Sequence, residues 1–538
     1  MKRMALLALA GMVAACGTGD RAPGAFIRPG DAPAGSQAAS RGASLEGTPT
    51  TAAAVGGNGA GTQALQGGGG VSAATGPGGI AAAQKNSPAA DAPAAGAPNG
   101  GATYQGVTRD TIKIVYFWTA SQTENNPFLD ALPGANANEA QAVRTWVEWI
   151  NQRAGGGHTI MGFPFNLYGR KLELTVVDAG DYTNPEAQRA AADRIVKEIK
   201  PFVAFSNGGA TSVRICPVLA AHKMLDIAVA DLTFDMNKRT GGYCIPSFQS
   251  FNKQVDASVP YLARRWGKTQ YAGPESGKQA VPRKFGFVYS ELPDEVRSGP
   301  LVAQRLKDAG VPIAAVISMA GDLGTQQQQQ APGVVAQLRS AGVNTVIPLD
   351  ALVPLTLTAA ADSQAYNPDW YIWPCSGADY NALAHLYSQS QWSRARGLTC
   401  NDPDYSPDLV QDEAGRDSEW YRNYQTVDNV PEPPAQSALI YAHLHTILVG
   451  ITNAGPNLTP SMFLKGLTKL APKRYSFRRG MTTDPRNMLI SLHEPNEHSM
   501  VGDFTELQWD ASRRNPGSRF PGGYVYPDNA RRFRADEL

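Results

Sequence analysis

The sequence predicts an α/β protein in which two doubly wound lobes each surround a parallel sheet. Predicted strands and helices alternate from Tyr104 onward, which is typical of parallel sheets with right-handed crossovers. The alternation starts a second time at Phe285, so two sheets are expected rather than one barrel. A chain of 538 residues also exceeds what one hydrophobic core usually serves.

The first run of elements begins with a strand of mixed burial at Thr111–Phe117. An amphipathic helix is predicted over Asn138–Arg153, because its apolar residues recur at helical spacing. A second strand follows at Lys171–Val177. Asn184 and Pro185 then open another helix, with the proline at its first position. Further strands are predicted at Phe202–Phe205 and Leu225–Val229.

The second run repeats this order. It begins with a strand at Phe285–Tyr289 and a helix at Leu301–Ala309 that ends at Gly310. The glutamine run at 326–330 is expected to be a solvated loop or a helix start. The remaining predicted elements are a strand at Ile313–Ile317, a helix at Gly333–Ala341, strands at Thr345–Leu349 and Trp370–Trp373, and a long helix at Ala435–Asn453.

Residues 1–15 have the features of a bacterial lipoprotein signal peptide. Lys2 and Arg3 precede an apolar run that is too short to span a bilayer, and small residues lead to Cys16. A cysteine at this place is typical of a lipobox, in which the thiol is lipidated and becomes the new N-terminus. An ordinary signal peptide that ends near a cysteine is the alternative. We therefore expect a lipid-anchored protein on the cell membrane, facing the periplasm or the exterior.

Residues 16–104 are expected to form a disordered linker behind the lipidated cysteine. Gly, Ala, Pro, Ser and Thr dominate this segment, which cannot bury enough apolar area to offset its ordering entropy. A flexible chain of about 85 residues has an end-to-end distance on the order of 50 Å. Such a linker holds a domain clear of the membrane while keeping it nearby.

Four cysteines remain beyond Cys16, an even number that favours disulfides in an exported protein. Three pairings are possible. Proximity in sequence favours Cys216 with Cys244 and Cys375 with Cys400. A metal site is the alternative, but the spacings contain no C-x-x-C element.

Composition and motif spacing disfavour several function classes. The net charge of +1, without a basic run, gives no sign of a nucleic-acid partner. His493 and His498 are one residue too far apart for a zinc protease motif, and Pro495 breaks the helix that it needs. Gly273–Lys278 is too short for a phosphate loop, and Ser376 lacks the glycine of a nucleophile elbow. We expect no enzyme, no cofactor and no metal.

Six motifs, in order along the chain, resemble one family. They are Gly106–Ile114; Trp149–Gly155 with Tyr168–Asp178; Asn184–Ala187 with Pro201–Ala204; Thr211–Ser212 before Pro217–Ala220; Val334–Ile347; and Ser437–Leu448. Together they resemble the type I periplasmic binding proteins of the branched-chain amino acid type, which are extracytoplasmic receptors of ATP-driven importers. The resemblance covers about residues 106–470.

The resemblance implies two doubly wound lobes joined by three crossing strands, with ligand bound in the cleft between them. The first lobe is expected to comprise residues 105–248 and 401–475. The second lobe is expected at residues 249–400, and the chain is expected to return to it, with a C-terminal tail, over 476–538.

Ligand contacts are then expected in the loops that follow the strands, because open α/β sheets bind ligands beyond the carboxyl ends of their strands. The loop at 207–212 carries glycines and opens a helix, which suits an anionic group. A plain Ser/Thr helix cap is the alternative. The candidate ligand-binding residues are Trp118, Gly209, Thr211, Ser212, Asp231 and Thr233 in the first lobe, and Tyr289, Asp350, Ser376 and Asp379 in the second.

Two departures from the family pattern point away from a branched-chain amino acid as ligand. An aromatic-glycine pair usually follows the strand that ends at Tyr289, and here Ser290 begins a different sequence. Where amino-acid binders carry an acid for the ligand ammonium, this chain has Cys375 and Ser376, with Asp379 the nearest acid. Asp231 and Asp350 could supply the missing charge, and a helix cap is the alternative for each.

The expected function is capture of a small polar ligand, an amino acid, amide or related carboxylate, and its delivery to the permease of an ABC importer. A ligand-sensing domain without a transport role and a non-binding surface lipoprotein are the alternatives.

Overall fold

Two parallel β-sheets organise the chain in the computed structural model of the protein. The structure describes residues 99–118, 139–180, 184–206, 211–229, 233–234, 236–246, 248–271, 280–292, 295–321, 325–403, 416–434, 437–494, 497–514 and 520–538. The signal peptide at 1–15, Cys16 and nearly all of the linker at 16–104 lie outside the described residues. No helix in the described ranges combines the length and apolar character that crossing a membrane requires.

The first sheet is doubly wound. Strands in this part of the chain are β1 (Thr111–Trp118), β2 (His158–Ile160), β3 (Phe163–Phe165), β4 (Lys171–Asp178), β5 (Val203–Phe205), β6 (Leu225–Val229) and β7 (Cys244–Pro246). Strands β2 and β3 form a hairpin, and the others form one parallel sheet in the order β4-β1-β5-β6-β7. The strand order reverses direction between β1 and β5, which defines the doubly wound arrangement.

Helices cover both faces of this sheet. They are α1 (Glu139–Asn151), α2 (Pro185–Arg194, continued by a π-helical turn at Ile195–Ile199), α3 (Thr211–Ala221) and α4 (Met236–Arg239). Ile114 and Tyr116 of β1 pack in one core cluster with α1, whereas Val115 and Phe117 pack in another with α2 and α3. This alternation follows from the two-residue repeat of a strand, which points successive side chains to opposite faces.

The start of α2 shows how local sequence sets a helix boundary. Asn184 Oδ1 accepts hydrogen bonds from the N–H groups of Glu186 and Ala187, at 3.1 and 3.2 Å. Pro185 occupies the first position, where a missing N–H costs nothing. The helix therefore begins where the sequence predicted it.

The second sheet repeats the order of the first. Its part of the chain contains β8 (Gln270–Tyr271), β9 (Val281–Pro282), β10 (Phe285–Ser290), β11 (Ile313–Met319), β12 (Thr345–Pro348), β13 (Asp369–Ile372) and β14 (Ala395–Thr399). Strands β8 and β9 pair with each other, and the rest form a parallel run in the order β11-β10-β12-β13-β14. The prediction of an α/β fold with two doubly wound parallel-sheet lobes is confirmed.

Helices also cover both faces of the second sheet. They are α5 (Phe251–Pro260, continued by helical turns at Tyr261–Arg265 and Trp266–Lys268), α6 (Glu295–Asp308), α7 (Thr325–Ser340), α8 (Val353–Ser363), α9 (Asn381–Ala384) and α10 (Gln389–Trp392). Val288 and Ile372 share a core cluster with α7 and α8, whereas Phe287 and Tyr371 share one with α5 and α6. The glutamine run at 326–330 lies in the first turns of α7.

The last part of the described chain contributes to both lobes. It contains α11 (Glu419–Tyr424), α12 (Ser437–Ala454), α13 (Pro460–Leu467), β15 (Lys473–Ser476), β16 (Gly480–Met481), β17 (Met488–Glu494), β18 (Glu497–Val501), β19 (Phe504–Asp510), β20 (Gly523–Val525), α14 (Pro527–Ala530), β21 (Arg532–Phe533) and a 3₁₀ turn at Ala535–Glu537. Strands β15 to β18 form an antiparallel sheet, whose Tyr475, Met488 and Ile490 share the first-lobe core with α12. Strand β19 extends the second sheet by pairing antiparallel with β14.

Among the described residues, three segments pass between the lobes, at 248–250, 400–403 and 502–503; we call them the hinge segments. They lead from β7 to α5, from β14 toward α11, and from β18 to β19. Gln249 Nε2 donates to the carbonyl oxygen of Asp503 at 3.3 Å, which joins the first and third of them. The N–H groups of Met500 and Val501, at the end of β18, also donate to the carbonyl oxygen of Phe248, at 2.7 and 3.0 Å. The residue boundaries expected for the lobes stay a prediction.

Candidate functional site

Loops at the carboxyl ends of the two sheets contact the opposite lobe. Phe234, which follows β6, packs against the second-lobe core, with its ring 5.0 Å from that of Phe251. Cys375, which follows β13, packs against the first-lobe core. The strand order reverses between β1 and β5 and again between β10 and β12, and ligands bind open α/β sheets at such points. The candidate site is therefore the cleft between the lobes.

Two predicted residues of the first lobe lie at this edge of the sheet. Trp118 ends β1, is partly buried against the first-lobe core, and accepts a hydrogen bond from Ala179 N–H on its carbonyl oxygen at 2.7 Å. Thr233 is buried, and its Oγ1 accepts a hydrogen bond from Arg239 Nη2 at 3.0 Å. Thr233 thus links the loop after β6 to the end of α4.

The other first-lobe candidates are only partly within the described chain. Gly209 and Asp231 lie outside the described residues. Thr211 and Ser212 form the first turn of α3, which begins shortly after β5 ends. A helix N-terminus therefore lies beyond this strand, and such a terminus favours anions. The ligand contacts of these residues stay a prediction.

His443 contributes to this edge of the sheet although the sequence did not select it. It lies fully buried on α12, with Nδ1 at 3.0 Å from the carbonyl oxygen of Ser206, directly after β5. Burial lowers the pKa of His443 to about 3, so the neutral ring donates its Nδ1–H to that carbonyl. The contact fixes the point at which the chain leaves β5 toward α3.

In the second lobe, the ring of Tyr289 packs against α6. A Cβ atom at Gly299 would lie 2.5 Å from Cγ of Tyr289, so the helix approaches the ring closely only because this position is glycine. Tyr289 also lies 6.1 Å from the ring of Phe287 between centroids. The partly buried Tyr289 ring therefore packs α6 onto the sheet.

Asp350 belongs to a buried cluster where the second sheet reverses its order. Its Oδ1 accepts hydrogen bonds from the N–H groups of Leu352 and Val353, at 2.5 and 2.9 Å, so it caps the start of α8. Its Oδ2 accepts a hydrogen bond from the hydroxyl of Ser290. The N–H of Ser290 donates to Oε2 of Glu295 at 2.9 Å. These contacts join the ends of β10 and β12 to the starts of α6 and α8.

Glu295 is fully buried and has its pKa raised well above the ordinary range, first by burial and then by the carboxylate of Asp350. Because the pKa of Glu295 is raised by folding, its protonated side chain contributes fully to the free energy of unfolding at low pH. This contribution is lost as the pH rises. We expect Glu295→Gln to gain stability relative to the wild type as pH rises from about 5 to about 8, by up to about 1.4 kcal/mol per pH unit.

Urea denaturation across this pH range measures the difference. Glu291→Gln, at an exposed neighbouring position, is the matched control and should leave the slope unchanged. Parallel pH profiles for wild type and Glu295→Gln would contradict the expectation.

Asp379 lies beneath the loop that follows β13. The buried carboxylate accepts hydrogen bonds from the N–H groups of Cys375 and Gly377, at 3.0 and 3.1 Å, and from Thr399 Oγ1 at 2.6 Å. Ser376, partly exposed in this loop, donates its hydroxyl to the carbonyl oxygen of Trp373 at 2.8 Å. The structure thus brings Ser376 and Asp379 together, with the acid holding the loop.

The four cysteines beyond Cys16 form two disulfides in the pairing that sequence proximity favoured. Cys216 in α3 is joined to Cys244 in β7, and Cys375 is joined to Cys400. The second bond connects the loop after β13 to the hinge segment at 400–403. In the ranges that the structure describes, no three His, Cys, Asp or Glu side chains are placed to hold a metal ion.

The family profile described as periplasmic binding protein matches residues 133–511, more than half of the chain. The chain belongs to the periplasmic binding protein family. Together with its solved structural neighbours, this match confirms the resemblance to type I periplasmic binding proteins of ABC transporters. Members of the family are substrate-binding proteins and are extracytoplasmic. No curated protein matches this periplasmic binding protein in sequence.

Solved structures share the fold at low sequence identity. A solute-binding protein of an ABC transporter from Rhodopseudomonas palustris BisB5, in complex with 3,4-dihydroxybenzoic acid, is 13% identical, with a TM-score of 0.51 over 79% of this chain and 98% of that one. A fatty acid ABC transporter substrate-binding protein from Thermomonospora curvata is 15% identical, with a TM-score of 0.51 over 80% and 95%. A possible leucine/isoleucine/valine-binding protein from Rhodopirellula baltica SH 1 is 12% identical, with a TM-score of 0.50 over 77% and 96%.

Proposed function

We propose that this periplasmic binding protein captures a small polar ligand, an amino acid, amide or related carboxylate, in the cleft and delivers it to the permease of an ABC importer. The observation that carries the proposal is the cleft itself. Each lobe has a parallel sheet whose strand order reverses, and the loops at the carboxyl ends of the two sheets contact the opposite lobe. The family match supports the transport role. Closure of the lobes by bending at the hinge segments would enclose the ligand.

Among these ligand classes, a carboxylate that carries no ammonium group fits the second lobe best. Asp350 and Asp379, the predicted acids there, have their oxygens engaged by donors of their own lobe. The helix start at Thr211 supplies main-chain N–H groups suited to a carboxylate. The structural neighbours bound to 3,4-dihydroxybenzoic acid and named for fatty acids are consistent with such a ligand class.

The proposed location is the outer face of a cell membrane, with Cys16 as the lipid attachment site and residues 16–104 as the tether. The support is the order of a basic start, a short apolar run and small residues before Cys16. Metabolic labelling with a radioactive fatty acid, compared between the wild type and Cys16→Ala, tests the anchor directly. Equal labelling of both proteins would refute it.

Thermal unfolding of the purified protein against a panel of carboxylates, amino acids, amides, short peptides and sugars tests the binding function. A ligand at about 100 times its Kd adds roughly 2.7 kcal/mol, so one class of compound should raise the Tm by several degrees. We expect aromatic or aliphatic carboxylates to give the largest shift.

The double variant Thr211→Ala/Ser212→Ala should lose this shift, because it removes both hydroxyls at the start of α3. Ser340→Ala, at the exposed far end of α7, is the matched control and should keep it. A ligand shift that survives in the double variant would place the ligand elsewhere, and no shift across the panel would argue against solute binding.

A further inference from the structure

The loop Cys375–Asp379, which we call the second-lobe cleft loop, is held from below by a single buried side chain. Asp379 is 3% exposed, and its two oxygens accept hydrogen bonds from two main-chain N–H groups of the loop. The same carboxylate accepts from Thr399 Oγ1 at 2.6 Å and from Asn401 Nδ2 at 3.0 Å. The acid therefore lies between the cleft loop and the chain at the end of β14, where Thr399 ends the strand and Asn401 follows it.

Asn401 and the disulfide carry this connection into the hinge. Asn401 belongs to the hinge segment at 400–403, and its neighbour Cys400 is bonded to Cys375 of the cleft loop. The carbonyl oxygens of Cys400 and Asn401 accept hydrogen bonds from Arg532 at 3.0 and 2.7 Å. Arg532 also bonds Asp503, in the third hinge segment, with 2.9 Å between Nε and Oδ1. The cleft loop is thus linked through buried contacts to two of the three hinge segments.

The cleft loop has a backbone that needs such support. Cys375 has a φ of 55° and Gly377 a φ of 92°, and a left-handed conformation is uncommon for a residue other than glycine. Conformations of this kind persist when the surrounding structure fixes them. The N–H groups of both residues donate to Asp379, and the disulfide to Cys400 also holds Cys375.

We propose that Asp379 and Asn401 are positioning residues, which make the cleft loop of the second lobe and the hinge segment at 400–403 move as one body. This inference rests on the proposed ligand-binding function. It assigns Asp379 a role different from that of a counter-charge for a ligand ammonium. A ligand that presses on Ser376 in this loop would transmit its effect to the hinge, and lobe closure would depend on the intact connection.

The decisive variant is Asp379→Asn, in which an amide replaces the acceptor of four hydrogen bonds. Asn401→Ala is a milder second variant, because it removes one link and leaves the other three donors in place. We expect Asp379→Asn to weaken ligand binding about tenfold or more. Both variants should increase amide hydrogen exchange in residues 375–379 and in 400–403 together, whether or not ligand is present.

Asp362→Asn is the matched control. Asp362 also accepts hydrogen bonds from several side chains, including Ser390 Oγ at 2.5 Å and Gln391 Nε2 at 2.7 Å, but it lies at the end of α8 away from the cleft. Its replacement should lower stability and leave both the ligand Kd and the exchange at 400–403 unchanged. If Asp379→Asn and Asn401→Ala likewise lower only stability, and leave the ligand Kd and the exchange at 400–403 unchanged, the proposal is overturned.

The pH profile of binding supplies a readout that a purely structural role would not move. Burial raises the pKa of Asp379 to about 6, while hydrogen bonds from Thr399 and the loop N–H groups oppose the rise. The titratable groups nearby are Tyr387, Asp350 and, across Asn401, Arg532. Wild-type affinity should fall as pH drops through about 6, whereas Asp379→Asn should bind weakly with a flat profile.

Failure of this inference is distinguishable from failure of the proposed function. If no compound shifts the wild type, solute binding fails, and the exchange comparison in the ligand-free protein still decides whether the loop and the hinge move together. If the wild type binds a ligand and Asp379→Asn binds it equally well with the same pH profile, the coupling is refuted and the binding function stands.

Discussion

Replacement of Arg532 by methionine is expected to lower the free energy of unfolding by about 3–5 kcal/mol, because breaking a buried ion pair leaves its partner charge uncompensated. The side chains of Arg532 and Asp503 are 0% and 1% exposed. The guanidinium also donates to the carbonyl oxygens of Cys400 and Asn401, and each would be left buried without that donor. Arg474 donates to the other oxygen of Asp503, so the fold should weaken rather than be lost.

Urea denaturation measures this loss as a lower midpoint at unchanged slope. Arg531→Met is the matched control, because Arg531 is exposed at the preceding position and its replacement should change stability by less than about 0.5 kcal/mol. A similar loss in both variants would show that the contacts of Arg532 in the hinge contribute nothing beyond those of a surface arginine.

Much of the fold was predictable because strands and helices produce a local periodicity of apolar residues in the sequence. The strand at Leu225–Val229 has the predicted bounds, and β1 is one residue longer than predicted. The start of α6 was predicted at Leu301 and lies at Glu295. The earlier start brings Gly299 into the helix, where its missing side chain lets α6 pack closely against Tyr289. A tertiary requirement of this kind leaves no local pattern.

The location of the candidate site was also predictable, because strand ends gather at one edge of a parallel sheet. The roles of its acids were predictable only in part: a helix cap was one of two interpretations of Asp350, and no pattern indicated that Asp379 holds a loop. Asp350 caps a helix and Asp379 holds a loop, and the partners that fix these roles come from distant parts of the chain. For the same reason, the sequence did not indicate the roles of His443 and Arg532. The carbonyl groups to which they hydrogen-bond lie 237 and 131 residues away along the chain. A side-chain role that depends on such distant partners can be recognised only in the folded structure.

The two disulfides should stabilise the protein to a similar extent. Their cysteines are 28 and 25 residues apart, and a loop of that length corresponds to about 3–4 kcal/mol in the chain-entropy treatment. We therefore expect the double variants Cys216→Ala/Cys244→Ala and Cys375→Ala/Cys400→Ala to lower the free energy of unfolding by nearly equal amounts. Urea denaturation of the two variants beside the wild type, without reductant, measures the losses.

Ligand binding should separate the two disulfides. The bond between Cys216 and Cys244 joins α3 to β7 within the first lobe, whereas the bond between Cys375 and Cys400 joins the cleft loop to the hinge segment at 400–403. Loss of the second bond should therefore weaken ligand binding and broaden the distance distribution between spin labels on the two lobes. Loss of the first should leave both nearly unchanged, which makes it a control of matched stability. Equal changes in affinity for the two variants would mean that stability alone, rather than the link from the cleft loop to the hinge, governs binding.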